Sequence, residues 1–132
     1  VEQPRREVVP LRAGFRLGRG GWYVLEQIRG ETFRWVRDRA EIIVTDAAAT
    51  TLELDVEPGP GVGGKPLALT VRDARGEPIA CACVEGRRRI AIELPSAERV
   101  PYAIALCADG GGATVPGFVR VLDFRVFHVP PA

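Results

Sequence analysis

The run Leu52-Glu53-Leu54-Asp55-Val56-Glu57 alternates apolar and acidic side chains at every step. Successive side chains of a strand point to opposite faces, so this run has one dry face and one wet face. Leu67, Leu69 and Val71 repeat the period, as do Ile90, Ile92 and Leu94 set against Arg89, Ala91 and Glu93. A helix has no use for this pattern, because a period of two scatters apolar residues around a 3.6-residue turn. Several runs with one wet face each require antiparallel pairing over a shared core. No window carries a helical period with caps, and residues 96–99 have room for one short turn only.

Breaks between these runs come often, from 15 glycines and 11 prolines in 132 residues. They separate candidate strands at 21–26, 32–36, 40–45, 51–56, 67–72, 79–84, 88–94, 102–107 and 120–129. Many short strands at this spacing predict a sandwich or barrel. The expected fold is all-β, an antiparallel jelly-roll-like β-sandwich of eight or nine strands. Residues 1–14, with Pro4, Pro10 and several arginines, read as an N-terminal arm or linker, and residues 15–132 as the sandwich domain.

A balance of 18 basic against 17 acidic residues leaves a net charge of +1. No whole-molecule field then draws in nucleic acid or an anionic membrane, and neither is expected as a partner. No apolar run approaches the roughly 20 residues that span a bilayer, and none reads as a signal peptide. A chain of this length buries a core without help from a disulfide or a structural metal. Its 3 cysteines cannot all pair with one another, which fits a reduced, cytoplasmic setting. The opening at Val1, without a methionine, reads as a piece of a longer protein. The oligomeric state is left open.

Gly59-Pro60-Gly61-Val62-Gly63-Gly64-Lys65-Pro66 satisfies two phosphate-loop patterns. GxGxxG runs through Gly59, Gly61 and Gly64, and GxxxxGK through Gly59, Gly64 and Lys65. Both patterns aim backbone N–H groups and a helix N-terminus at phosphate. Pro66 stands where Ser or Thr would hold the metal, and a strand pattern follows instead of a helix. The segment is expected to be a long connection between strands. Cys81-Ala82-Cys83 sets two thiols on one strand face, about 6.6 Å apart by two strand rises. Structural zinc takes cysteine pairs with roughly two to four residues between them. Cys81, Cys83 and Cys107 are therefore expected as core or sheet-surface residues, and the lone His128 as a structural one. No metal or cofactor is expected. Ser96 and His128 give no plausible triad, and no acidic pair stands out as acid and base. The chain is expected not to be an enzyme. Arg87-Arg88-Arg89 reads as charge defending an edge strand, without the interleaved aromatics of a nucleic-acid stacking platform.

Trp22, Tyr23, Phe33 and Trp35 fall in two neighbouring strand candidates. Trp22 and Tyr23 must face opposite ways, as must Arg34 and Trp35, so one of each pair is core. Glu26, Arg34, Asp123 and Arg125 are charges inside apolar strands, and such groups pair when buried. Two readings stay open. One is an ion-pair network that ties the first strands to the last, with Arg34 and Glu26 near Asp123 and Arg125. The other is a polar site beside an aromatic platform, as sugar-binding surfaces require. Its candidate ligand-binding residues are Trp22, Tyr23, Glu26, Arg34, Trp35 and Arg125.

Gly21-Trp22-Tyr23-Val24-Leu25-Glu26, then Thr32-Phe33-Arg34-Trp35-Val36 and Ala40-Glu41-Ile42, resemble a pattern in bacterial β-sandwich domains. Leu52 to Gly61 continue it, and Val121-Leu122-Asp123-Phe124-Arg125-Val126-Phe127 match its end. That pattern has Pro where Val24 stands and Asn where Asp123 stands. The domains resembled are accessory parts of glycosyltransferases and related polysaccharide enzymes, similar in form to carbohydrate-binding modules. The resemblance implies a non-catalytic accessory module, with a glycan as ligand and a catalytic domain in the same polypeptide as partner. The alternative is a structural spacer or protein-docking and oligomerisation sandwich that binds no sugar.

Overall fold

The computed structural model describes residues 14–95, 99–113 and 120–127. Among these residues nine strands form: β1 Phe15–Trp22, β2 Glu26–Ile28, β3 Glu31–Val44, β4 Thr51–Pro58, β5 Leu67–Arg72, β6 Pro78–Val84, β7 Arg88–Glu93, β8 Tyr102–Asp109 and β9 Phe124–Phe127. Every pairing is antiparallel. The expected class, all-β with eight or nine antiparallel strands, is the observed one. The described residues contain no α-helix, and one 3-10 turn covers Pro60–Val62.

β3 organises the sheet, which runs in the order β6-β5-β8-β3-β9-β4-β7. The first half of β3 pairs with β9, from Phe33 opposite Phe127 to Val36 opposite Phe124. Its second half pairs with β8, from Arg39 opposite Cys107 to Val44 opposite Tyr102. β2 and β1 line the other edge of β3 in the same succession. The handover falls at Asp38, which sits at φ 63. Asp tolerates this left-handed region better than most residues. One long strand thus serves both halves of a nearly closed sheet, where two strands (32–36 and 40–45) were expected. The terminal strands β6 and β7 are joined by residues 85–87, which brings the two ends of the sheet together.

The alternating runs supply the interior. Leu52, Leu54 and Val56 of β4 and Leu67, Leu69 and Val71 of β5 belong to one buried cluster with Ile42, Ile104, Leu106 and Phe124. Burial of such side chains stabilises by about 1.5–3 kcal/mol each. β1 begins upstream of the expected 21–26 segment. Gly18, Gly20 and Gly21 disguise it, and the register against β3 shifts on both sides of Gly20. Glycine often marks such a bulge.

The backbone at the β3 handover is held by Asp123, 1% exposed. Its carboxylate accepts the N–H of Asp38 at 2.7 Å and that of Gly112 at 2.8 Å. Its own N–H donates to the carbonyl of Val36 at 3.0 Å, and its carbonyl accepts the N–H of Gly59 at 2.8 Å. One residue therefore ties β3 to the connections after β4 and β8. Glycine at 111 is required by contact, since a Cβ there would sit 2.5 Å from the Asp123 Oδ1. The phosphate-loop segment is such a connection: Gly61 N–H donates to the Leu122 carbonyl at 2.7 Å, and β5 follows.

Candidate functional site

Leu54 and Val56 point inward, so Asp55 and Glu57 point outward. Asp55 is level with Phe127 and Glu57 with Arg125. Across β9, Phe127 is level with Phe33 and Arg125 with Trp35. The outer face of β3, β9 and β4 therefore gathers three aromatic rings, one guanidinium and two carboxylates. Phe33 is 1% exposed and Phe127 4%, yet both stand apart from the main core. They form a small second core on the outside of the sheet. Phe33 meets Trp35 edge-on at 6.1 Å and Phe127 tilted at 5.5 Å.

Arginines roof this second core. Arg125 lies 4.5 Å from the Phe33 centroid, 4.9 Å from Trp35 and 4.7 Å from Phe127. Arg87 lies 3.5 Å above Phe127. A guanidinium is attracted to a ring face by its quadrupole, which explains why aromatic rings can be buried on a wet face. Each cation is fixed by carboxylates. Arg125 donates to Glu57 from Nε at 2.7 Å, with Nη2 at 2.5 Å from the same oxygen. Arg87 holds Glu31 at 2.9 and 2.5 Å and Asp55 at 2.9 Å. The Arg87 hydrogen bond is the main reason that the Glu31 carboxyl sits below its ordinary value of 4.5, with slight burial acting the other way. The two carboxylates in turn push Arg87 further up.

Beside this roof lies a concavity of about 360 Å³, lined by Ile28, Arg29, Glu31, Phe33, Arg125 and Phe127. Its lip is the turn between β2 and β3. Arg29 there adopts φ 54 and Gly30 φ 81. Ile28 is 55% exposed.

The six candidate residues divide between the two sides of the sheet. Trp35 and Arg125 lie together on the outer face. Arg34, level with Val126, points the other way. It is only 9% exposed and donates from Nη1 to the Tyr23 carbonyl at 3.0 Å. Trp22 packs against the main core and donates from Nε1 to the Glu41 carbonyl at 2.9 Å. Tyr23 is half-buried with Arg120 5.0 Å from its ring, and Glu26 lies 3.6 Å from the same arginine. Arg34 holds the Tyr23 carbonyl, and Asp123 holds the N–H groups of Asp38 and Gly112. Of the candidate aromatics, Trp35 has the Arg125 guanidinium 4.9 Å from its ring and Tyr23 has that of Arg120 at 5.0 Å.

Sequence reasoning missed Phe127, Glu57, Asp55, Arg87, Glu31 and Arg29. The signal for Glu57 and Asp55 was present in the outward positions of the β4 alternation. Arg87 was hidden in a basic run. It lies in the turn before β7, outside the regular alternation that would have given it a face. His128 and Ser96 lie outside the described residues. Cys81 and Cys83 are exposed on β6, and Cys107 is half-buried on β8. Among the described residues no group of three or more His, Cys, Asp or Glu is placed to hold a metal ion. No helix among them is long and apolar enough to cross a membrane.

No family model matches the chain, and no curated protein matches it. Among solved structures it is similar to one described as CBM51-2 in complex with GlcNAc and INT domains from Clostridium perfringens ZmpB. The identity is 13% and the TM-score 0.39, over 89% of this chain and 28% of that one. The chain thus spans just over a quarter of that protein's chain.

Proposed function

We propose that this chain is a non-catalytic accessory module whose concavity at the β2–β3 turn takes a sugar or sugar-linked ligand. The enzyme it serves would lie in the same polypeptide and belong to the glycosyltransferase class. One observation carries the reading. The roughly 360 Å³ hollow sets the planar donors of Arg125 beside the carboxylate of Glu31 and the exposed side chain of Ile28. Vicinal sugar hydroxyls need paired donors and acceptors, and the C–H face of the ring needs an apolar contact. Because Arg125 and Glu31 are already fixed by Glu57 and Arg87, the polar groups are preorganised and little ordering entropy is lost on binding.

The test is a screen of the purified protein against diverse glycans, with each hit confirmed by titration calorimetry. Ile28→Ala and Arg29→Ala then probe the lip, where neither residue supports the core. A confirmed saccharide whose binding is lost in either variant supports the reading. A confirmed saccharide bound equally by both variants excludes this concavity.

A second reading, a docking sandwich that binds no sugar, has its own observation. Val24 is 71% exposed and Ile28 55%, on neighbouring segments beside half-buried Tyr23. A contiguous exposed apolar patch marks a protein contact. Size-exclusion chromatography across a concentration series distinguishes self-docking, since an elution volume that shifts with concentration, and is restored by Val24→Asp, supports it.

A further inference from the structure

All three cysteines lie on the outward face of the β6-β5-β8 half of the sheet. Leu69 and Val71 point inward, so Thr70 and Ala68 point outward. Thr70 is level with Cys81 on one side and Cys107 on the other, and Ala68 is level with Cys83. Cysteine is among the most buried residue types. Here Cys81 and Cys83 are both exposed, two residues apart on one strand. They border a shallow groove of about 260 Å³ whose other walls are Ala68, Leu69, Thr70 and Ala82.

Two of the groove's lining residues carry thiols. Thr70, between them and Cys107, donates its hydroxyl to the Asp109 carboxylate at 2.6 Å. Cys107 stands two strand spacings from Cys81, about 9.6 Å away, which is beyond reach of a shared ion. Among the described residues no third His, Cys, Asp or Glu joins the pair in a metal-holding group, so these residues do not supply the four ligands of tetrahedral zinc. Cys81 and Cys83 have Cα atoms about 6.6 Å apart by strand geometry. Both common strand rotamers lean a side chain along the strand, so the two sulfurs can tilt toward each other. A linear sulfur–metal–sulfur unit needs about 4.6 Å between sulfurs, twice a metal–thiolate bond of about 2.3 Å.

We propose that Cys81 and Cys83 form a two-coordinate site for a soft monovalent cation of the Cu(I) class. Thiolates select such ions over hard ones. Two thiols lose two protons to solvent, and each sulfur donates one lone pair to the metal. Neither sulfur nor metal changes oxidation state.

The experiment is an anaerobic titration of the reduced protein with Cu(I) against a chromophoric Cu(I) chelator. Wild type is compared with Cys81→Ser, Cys83→Ser and Cys107→Ser, and circular dichroism checks each fold. Wild type and Cys107→Ser are expected to withdraw one equivalent from the chelator, while Cys81→Ser and Cys83→Ser withdraw none. Retention of a full equivalent by either of those two variants overturns the site, as does failure of wild type to compete. Half an equivalent with a doubled molecular mass would assign the two sulfurs to separate copies and also overturn it.

Discussion

Arg87 shows how one side chain sets the chemistry of its neighbours. It lies over Phe127 and grips Glu31 and Asp55 together. The folded protein therefore holds Glu31 below its unfolded value of 4.5. A carboxyl depressed in this way contributes stability that is fully present above 4.5 and is lost as pH falls through the lowered folded value. Carbon-detected NMR titration of the Glu31 carboxyl should give a midpoint below 4.5 in wild type. In Arg87→Ala the midpoint should move up toward the ordinary value, and identical midpoints would show that the contact is absent in solution. Arg29 makes the opposite kind of case. Its φ of 54 lies in a region where a non-glycine residue costs about 1–2 kcal/mol. Asn adopts this conformation more readily, so Arg29→Asn should stabilise the fold by about 0.5–1 kcal/mol while weakening any ligand held at the lip. Denaturant unfolding measures the first effect and calorimetry the second. Improved stability with undiminished binding would leave Arg29 without a role in the concavity.

At the scale of elements, β3 passes from one partner strand to another at Asp38. Asp38 sits there at positive φ, and the buried carboxylate of Asp123 holds its N–H. Asp123→Ala leaves the N–H groups of Asp38 and Gly112 without their acceptor. Such a loss costs about 2–4 kcal/mol, read as a lower midpoint in urea with an unchanged slope. A midpoint within error of wild type would mean that water replaces the carboxylate freely. Strands with one wet face were legible in the sequence, and β5 occupies the expected residues 67–72. The joining of 32–36 and 40–45 was not, since Arg37-Asp38-Arg39 reads as a polar break and only backbone geometry shows it continuous. The candidate site was legible in part. Trp35 and Arg125 were found because a charge and an aromatic ring interrupt apolar strands. Their partner Glu57 comes from a strand distant in sequence, and register between distant strands is set by the whole sheet. The sequence left open which of Arg34 and Trp35 faces the core, because a ring roofed by a guanidinium can face outward while an arginine reaching a backbone carbonyl faces in.

Across the whole molecule, the last described strand occupies the middle of the sheet. β9 lies between β3 and β4, and Phe33 meets Phe127 across most of the chain's length. Loop-closure entropy must be offset before such a contact yields any stabilisation, so folding of this topology belongs to the millisecond-to-second range of all-β domains. The same placement makes β9 indispensable. Removing residues from 120 onward deletes Asp123, Phe124, Val126 and Phe127, all buried, and strips a pairing edge from each of β3 and β4. Phe→Ala in a core costs about 3–5 kcal/mol, and whole-domain stability is only about 5–15 kcal/mol. A chain ending at Val119 should therefore be unfolded, with no cooperative transition in urea and collapsed amide dispersion by NMR. A synthetic peptide of residues 120–132 added in excess should restore dispersion, because the gap between β3 and β4 presents two antiparallel edges to one strand. A truncated chain that unfolds cooperatively by itself would show that β3 and β4 can close directly on each other and that β9 is an insertion into a sheet already stable without it.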